Sequence, residues 1–245
     1  MKILLTNDDG INAEGLQSLN TILKSEFETY IIAPDRERSA CSNIFTMRDE
    51  LHVKKINSHT WSVNGFPADC VSLGLHSGII PEVDLVISGI NHGPNLGDDI
   101  HFSGTVAGAR TAFIFGKPGI AVSVNTDHRP SQFFHEIGDF ITRFVQNNRF
   151  SDKKYYNINY PDLPSDQIKG VKYTFLSKRY YRDRYIINQD SSENEYRMLL
   201  DGRIETREER DSDGHAIENG YISITPMMID CTDYTELELI NDRNG

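Results

Sequence analysis

The amino-acid sequence predicts an α/β fold, with a doubly wound, mostly parallel sheet that carries helices on both faces. Short apolar runs of strand length alternate with helix-like segments over the first two-thirds of the 245 residues. Strands that alternate with helices in this way favour a parallel sheet. The strongest apolar runs, residues 3–5 and 85–87, are of strand length. A membrane span would need about 20 apolar residues, so none is predicted.

The strand-like segments follow one another along the chain with turn signals between them. Residues 2–6 and 84–90 are each centred on a short apolar run, which predicts strands buried on both faces. The remaining strand-like segments are residues 29–33, 119–124 and 157–160. Residues 51–56 and 60–63 are predicted to form a two-stranded excursion from this pattern.

Four helices are predicted between these strands. Leu16, Leu19, Ile22 and Leu23 recur at helical spacing. Pro67 can begin a helix over residues 67–75, because proline is tolerated in the first turn. A third helix is predicted to follow Ser103 and to end before residue 116. Residues 133–145 form the fourth, with their apolar side chains on one face.

The composition changes near residue 176, after which charged residues dominate up to residue 213. A strand-like run follows at residues 221–225. We therefore predict a core domain over residues 1–175 and a C-terminal extension over residues 176–245. The extension is expected to be an arm or hairpin with little core of its own, packed on the domain or on a second subunit.

Charge and cysteine content narrow the partners and the compartment. The formal net charge of −11 repels nucleic-acid polymers, whereas small phosphate compounds can still bind through a metal ion. Three cysteines without a CxxC spacing cannot form a closed disulfide set, which favours a reducing, cytoplasmic compartment. The N-terminus has no apolar stretch of signal-peptide length, so none is expected.

Three loops that leave predicted strand ends are rich in oxygen donors and glycine. They are residues 7–10, 34–43 and 88–105. In open α/β sheets, ligands bind outside the carboxyl ends of the strands. We therefore expect the three loops to converge on one site.

The first loop places two adjacent carboxylates, Asp8 and Asp9, directly after the first strand. Like charges so close raise a pKa or require a cation, and Mg²⁺ or Mn²⁺ prefers oxygen ligands. The alternative is an ordinary turn, since Asn, Asp and Gly favour turns locally. The placement at a strand end favours a metal site.

The second loop offers hydroxyls that could complete a metal shell, together with Arg36 and Arg38. These arginines could attract phosphate or pair with their acidic neighbours, and the composition favours the pairing.

The third loop combines four glycines with the neutral oxygen donors of Asn91 and Asn95. Ser103, Gly104 and Thr105 lie where a helix is predicted to begin, and a helix N-terminus suits a phosphate. The alternative is an N-cap serine on a surface loop, but long loops in compact domains are usually functional or disordered. His92 and His101 could act as general acids, although each is more typical of an ordinary loop histidine.

A metal beside a phosphate cradle implies phosphoryl transfer. The sequence has no Walker lysine motif and no GxGxxG, which argues against a kinase or a dehydrogenase. A response-regulator receiver also places an acidic pair after its first strand, but it needs an aspartate at the end of a later strand. The strand at residues 84–90 has its only aspartate at its start. A non-catalytic nucleotide sensor stays open as the alternative.

The residues of these loops closely resemble the SurE family of stationary-phase survival proteins, which are 5′/3′-nucleotidases. The longest matching segments are ILLTNDDGINAEGL and DLVISGINHGPNLGDDIHFSGTVAGA. Shorter matches are APDRERSACSN, FPADCVSLG, GIAVS, NINYPD and DSDGHAIENGYISITPMMIDCTDY. The resemblance covers nearly the whole chain in order, and is weakest between residues 179 and 210.

This resemblance implies a Rossmann-like core whose C-terminal extension assembles a homodimer or homotetramer. It implies one divalent cation, Mg²⁺ or Mn²⁺, held by Asp8, Asp9, Ser39 and Asn91. Asp8 and Asp9 are also the implied catalytic residues. The implied phosphate or substrate-binding residues are Asn43, Asn95, Ser103, Gly104 and Thr105. The implied reaction is hydrolysis of nucleoside 5′-monophosphates, with 3′-monophosphates or short polyphosphate as further substrates of some members.

The chain departs from the family pattern at positions beside the site. Phe66 stands where threonine is typical, and His101-Phe102 stands where Ile-Tyr is common. Arg110-Thr111 replaces a Met-Glu pair. No predicted metal position is lost, so these departures bear on substrate preference more than on activity.

Overall fold

A computed structural model describes residues 1–126, 131–150, 154–187, 195–207 and 209–244. Its main feature is one nine-stranded sheet in the order β3-β4-β2-β1-β5-β6-β7-β13-β8. The strands are β1 Lys2–Thr6, β2 Glu28–Pro34, β3 Val53–Asn57, β4 Thr60–Val63, β5 Leu85–His92, β6 Gly119–Asn125, β7 Tyr155–Pro161, β8 Val171–Tyr173, β9 Arg179–Tyr181, β10 Arg184–Ile187, β11 Met198–Asp201, β12 Ile204–Thr206 and β13 Ile222–Met227. From β4 to β7 every neighbouring pair is parallel, which confirms the predicted α/β fold.

Helices cover both faces of the sheet. They are α1 Glu14–Leu23, α2 Pro67–His76, α3 Gly104–Ile114, α4 Phe134–Asn147, α5 Asp213–Glu218 and α6 Tyr234–Asn244. Side chains alternate along a strand, so Ile3 and Leu5 of β1 pack with α1 and α4, while Leu4 packs with α2 and α3 on the opposite face. All three are fully buried, and each such burial stabilises the fold by about 1.5–3 kcal/mol.

The order of the strands creates a topological switch point at β1. The chain passes from β1 to β2 on one side, and later to β5 on the other. Crossovers that leave in opposite directions open a crevice at the carboxyl ends of β1 and β5, where α/β proteins bind ligands. The loops after β1 and β5 are two of the three oxygen-rich loops.

Glycines allow the end of β5 to pack closely against its neighbours. A Cβ on Gly89, whose φ is +136°, would lie 2.2 Å from the carbonyl oxygen of Val122 on β6. A Cβ on Gly15 of α1 would lie 2.2 Å from the carbonyl oxygen of Ile90. Neither position has room for a side chain. The backbone of β5 therefore packs against β6 and α1 just before Asn91 and His92, the last two residues of the strand.

Two sequence predictions are wrong in detail. The segment at residues 51–63 is not an excursion, since β4 pairs in parallel with β2 and extends the sheet. The prediction that the C-terminal extension is an arm or hairpin is also wrong for β13, which lies between β7 and β8 in the main sheet and adds Ile222 and Ile224 to the core of the domain. The division at residues 175 and 176 stays a prediction, although the sheet draws strands from both sides of it.

The rest of the extension is largely exposed. β9 pairs with β12, and β10 pairs with β11, as two-stranded antiparallel ribbons outside the main sheet. Residues on both strands of the β10–β11 ribbon are apolar and exposed, with Tyr185 and Leu199 the most accessible. Within the described ranges, no helix is both long and apolar enough to cross a membrane.

Candidate active site

A cavity of about 280 Å³ lies at the carboxyl ends of β1 and β5. Its lining comes from all three oxygen-rich loops and from β9 of the extension. The lining residues are Asp8, Ser39, Ala40, Asn91, His92, Asn95, Asp99, Phe102, Ser103 and Tyr181. Five of the nine predicted site residues are among them, so residues far apart in sequence meet at one place.

Asp8 lies at the inner end of this cavity and is only 3% exposed. The Thr105 hydroxyl donates a hydrogen bond to Oδ1 of Asp8. Gly104 packs so closely that a Cβ there would lie 2.8 Å from Oδ2 of Asp8 and 2.5 Å from Sγ of Cys41. Burial raises the pKa of Asp8, and the bond from Thr105 lowers it in part. The structure thus buries the Asp8 carboxylate against the first turn of α3, and burial of its charged form is energetically unfavourable.

Asp9 adds a second carboxylate beside the first. Burial, and then repulsion by Asp8, raise the pKa of Asp9 to about 7, with a smaller contribution from Glu37. The backbone N–H of His92 donates to Oδ2 of Asp9 over 3.3 Å and opposes this rise. Two neighbouring carboxylates with raised pKa values would be stabilised by a bound cation.

Asn91 brings an amide oxygen to the same point. Its Nδ2 donates to the carbonyl oxygen of Gly93 over 2.8 Å, which turns its Oδ1 towards Thr105, 3.2 Å away. The orientation of the amide therefore presents an oxygen, the atom that a hard cation prefers, next to the carboxylate of Asp8.

Ser39 reaches the cavity from the loop after β2. The backbone N–H of Arg38 donates to the carbonyl oxygen of Asp8 over 2.6 Å, and the Ser42 N–H donates to the carbonyl oxygen of Phe102 over 2.8 Å. These bonds tie the second loop to the first and third. The Ser39 hydroxyl itself donates to Glu37 over 2.8 Å, and this hydrogen bond is exposed to solvent.

The predicted metal ligands fit a hard divalent cation by their chemistry. Two carboxylates, one amide oxygen and one hydroxyl form an all-oxygen set. Within the described part of the chain, no three His, Cys, Asp or Glu side chains group to hold a metal, so the neutral donors Ser39 and Asn91 are essential to this set. Burial raises the pKa of the nearby Cys41 thiol to about 11, and a protonated thiol is not a metal ligand.

Asn95 is held by residues that the sequence analysis missed. Its N–H donates to Oδ1 of Asn159 over 2.8 Å, and its carbonyl oxygen accepts from Nδ2 of both Asn157 and Asn159. Its side chain donates to the hydroxyl of Ser123 on β6 over 2.8 Å. The signal in the sequence was the alternation of asparagines in β7, which points two buried amides to one face of the sheet.

The start of α3 matches the predicted N-terminus. Ser103 caps the helix, since its hydroxyl accepts from the N–H of Val106 over 3.0 Å. Asn43, a predicted substrate-binding residue, does not line the cavity; its Nδ2 donates to the hydroxyl of Thr111 on α3 over 3.3 Å. Its Oδ1 is buried without a hydrogen-bond partner.

The extension closes one side of the cavity through contacts absent from the sequence analysis. Arg179 lies 3.0 Å from Asp99 in an ion pair, and the Tyr181 hydroxyl donates to Asp99 over 2.7 Å. Asp213, fully buried, accepts from the N–H of Gly97 and of Ser177, each over 2.8 Å. The third loop is thus fastened to a segment more than 75 residues further along the chain.

A larger cavity, of about 530 Å³, opens beyond β6 and β7 and is lined by Asn125, Phe133 and Asp162 among others. None of the predicted site residues lines it. We therefore place the candidate site at the smaller cavity, where Asp8, Asn91 and the N-terminus of α3 meet.

The fold and this cavity define a class: Rossmann-like α/β proteins with an acidic, oxygen-rich site at the topological switch point beside a helix N-terminus. The family model described as Survival protein SurE matches residues 3–183, and the chain belongs to the SurE family.

Individual relatives agree with this assignment. The chain is 38% identical over 242 residues to the 5′-nucleotidase SurE of Pelobacter propionicus, covering 98% of both chains. It is 41% identical over 245 residues to the 5′-nucleotidase SurE of Syntrophomonas wolfei, covering 97% of this chain and 92% of the relative. The crystal structure of the SurE protein from Aquifex aeolicus matches with a TM-score of 0.85 at 35% identity, covering all of both chains.

Proposed function

We propose that this protein is a metal-dependent phosphomonoesterase that hydrolyses nucleoside 5′-monophosphates to nucleoside and phosphate. One observation carries the proposal: the buried carboxylate of Asp8, the amide oxygen of Asn91 and the N-cap of α3 at Ser103 meet in a single cavity. Two relatives that match nearly the whole chain bear the name 5′-nucleotidase SurE, which supports the same reaction here.

Asp8, Asp9, Ser39 and Asn91 would hold one Mg²⁺ or Mn²⁺ ion. Such a cation would neutralise charge on the phosphate and acidify an attacking water. Asp9, the less buried of the two carboxylates, would orient that water. The hydrogen bond from the N–H of His92, at 3.3 Å, ties the Asp9 carboxylate to the end of β5.

The phosphate would lie between the cation and the N-terminus of α3. A helix N-terminus attracts an anion through its dipole and its free N–H groups. Ser103 and Asn95 line the cavity on this side, and Gly104 keeps the helix close to Asp8 because a Cβ would collide there. These groups would bind and orient the ester for in-line displacement.

The nucleoside would rest on an aromatic rim. Phe102 lines the cavity with 56% of its surface exposed, and Tyr181 meets its ring edge-on with centroids 5.8 Å apart. Stacking of a base on such a ring is worth about 1–3 kcal/mol. We expect Phe102→Ala to raise KM for AMP about tenfold or more and to leave KM for glycerol phosphate within about twofold.

The matched control for Phe102 is Tyr180→Ala, an exposed aromatic residue outside the cavity lining, which should change neither KM. Equal effects of Phe102→Ala on both substrates would contradict the rim as a base platform.

The reaction is tested by phosphate release from a panel of 5′- and 3′-mononucleotides and short polyphosphate, with Mn²⁺, with Mg²⁺ and with a chelator. The proposal predicts turnover of 5′-monophosphates that the chelator abolishes. Nucleotide binding without turnover under any metal would instead favour the sensor alternative and overturn the catalytic reading.

We also expect the protein to assemble as a homodimer or homotetramer in the cytoplasm. The exposed apolar residues of the β10–β11 ribbon support assembly, because large exposed apolar patches mark interaction surfaces. The cysteines Cys41, Cys70 and Cys231 are all free thiols, which supports a reducing compartment. Nucleic-acid polymers are not expected partners of a chain with a net charge of −11, and membranes are not expected partners because no apolar run has the length of a membrane span.

A further inference from the structure

Thr105 occupies a different place from the one that the family resemblance implies. It is the second residue of α3 and is fully buried, and it is not among the residues that line the cavity. Its hydroxyl donates to Oδ1 of Asp8 and lies 3.2 Å from Oδ1 of Asn91. The side chain therefore contacts two predicted metal ligands and does not line the cavity in which a phosphate would lie.

Asp8 follows β1 and Asn91 lies near the end of β5, and the Thr105 hydroxyl contacts both of these predicted ligands. A threonine hydroxyl has a single hydrogen to donate, and it lies closer to Asp8 than to Asn91. The amide of Asn91 is oriented from its other side by the carbonyl oxygen of Gly93. Thr105 thus fixes the position of Oδ1 of Asp8. This contact also determines the direction in which Oδ2 of the same carboxylate points.

The first turn of α3 lies close to this carboxylate. A Cβ on the preceding residue, Gly104, would lie 2.8 Å from Oδ2 of Asp8, so the helix backbone is packed directly against the carboxylate. Side chains that hydrogen-bond to metal ligands hold them in the orientation that binds the ion.

We infer that Thr105 is a positioning residue for the divalent cation, which acts by orienting Asp8 against Asn91, and that its side chain does not bind the phosphate. The inference rests on the metal site of the proposed function. Loss of such an orienting bond commonly weakens metal binding by about 10–100-fold.

The test compares Thr105→Val, which keeps the shape and removes the hydroxyl, with Thr105→Ser, which keeps the hydroxyl. Calorimetry on the substrate-free protein measures the Kd for Mn²⁺, and a second titration measures the Kd for inorganic phosphate at saturating Mn²⁺. We expect Thr105→Val to raise the Kd for Mn²⁺ about tenfold or more. Thr105→Ser should stay within about threefold of wild type, and neither variant should change the Kd for phosphate beyond that range.

The matched control is Thr142→Val on α4, another buried helical threonine whose hydroxyl donates to a backbone carbonyl, that of Gly138. It should leave both constants unchanged. If Thr105→Val does not fold, Thr105→Ala gives the same comparison. An unchanged Kd for Mn²⁺, or a Kd for phosphate that weakens as much as that for Mn²⁺, overturns the inference. Wild-type protein that binds no Mn²⁺ would contradict the metal site itself.

Discussion

The cavity at the carboxyl ends of β1 and β5 and the β10–β11 ribbon both depart from the usual distribution of polar and apolar residues. The cavity buries a charged side chain, whereas the ribbon exposes apolar side chains. At the cavity, the carboxylate of Asp8 is buried at 3% exposure. On the ribbon, Leu199 is 69% exposed and its cross-strand partner Ile186 is 48% exposed. Buried charges need a partner, and exposed apolar patches need a covering surface. We therefore expect a single chain to gain a partner at each of these two places, a cation at the cavity and a second subunit on the ribbon.

The largest effect is expected at the cavity, from the loss of the buried carboxylate of Asp8. Asp8→Asn removes a charge from the proposed ligand set while it keeps the shape of the side chain. Metal-dependent phosphate release from AMP should fall by at least about a hundredfold, as for loss of other groups that stabilise charge in a transition state. Steady-state rates at saturating Mn²⁺ measure this. A rate within a few-fold of wild type would mean that Asp8 does not hold the cation.

The second largest effect is expected from substitutions on the β10–β11 ribbon, which should weaken assembly. Ile186→Lys combined with Leu199→Asp removes two exposed apolar side chains and places opposite charges on directly paired positions, which preserves the ribbon. Each removed side chain is worth up to about 1.5–3 kcal/mol of burial. We therefore expect the Kd for assembly to rise at least about a hundredfold, measured as mass by light scattering.

The control for the ribbon is Ile114→Lys, an exposed apolar residue at the end of α3. It should leave the molecular mass unchanged. A double variant with the mass of the wild-type oligomer would show that the ribbon is not the covered surface.

The ion pair that fastens β9 of the extension to the third loop of the cavity should give an intermediate effect. The side chains of Arg179 and Asp99 are 11% and 15% exposed, and removal of one member of a buried ion pair costs about 3–5 kcal/mol. Because this pair is not fully buried, we expect Arg179→Met to lower the free energy of unfolding by about 2 kcal/mol. In thermal unfolding that is a Tm shift of about 4–8 °C. Arg182→Met, in a more exposed pair with Glu205, should have little effect, and equal shifts for the two would contradict the distinction.

The smallest effect is expected on the stability of the metal-free protein, through the pKa of Asp9. Folding raises the pKa of Asp9 to about 7. The stability from its protonated form is therefore present below the ordinary carboxyl pKa and is lost as pH rises through about 7. With a chelator present, we expect Asp9→Asn to have a higher Tm than wild type at pH 8.5, by a few degrees. This advantage should shrink at pH 5.5, and a difference independent of pH would argue against the raised pKa.

Local patterns were sufficient to predict the parts of the site that follow strand ends. Asp8 and Asn91 could be placed because carboxyl ends of parallel strands share an edge, and Ser103 could be placed because it precedes a helical pattern. Apolar runs likewise predicted β1, β5 and β6, with boundaries within two residues.

Contacts between distant segments could not be predicted in this way. Asp213 binds the N–H of Gly97 across 116 residues, and Arg179 reaches Asp99 from a charged segment with no apolar periodicity. The membership of β13 in the sheet was missed for the same reason, since a short strand carries no local sign of its partner. The direction of the Thr105 hydroxyl depends on tertiary packing that the sequence does not display.

The most direct test of the central claim is diffraction from crystals soaked in Mn²⁺, with data collected to reveal anomalous scattering from manganese. The account predicts a single anomalous peak at the cavity, about 2.0–2.6 Å from oxygen atoms of Asp8, Asp9 and Asn91, with Ser39 turned from Glu37 towards the ion. A peak that excludes Asp8, or no peak at a concentration that supports phosphate release, would contradict it.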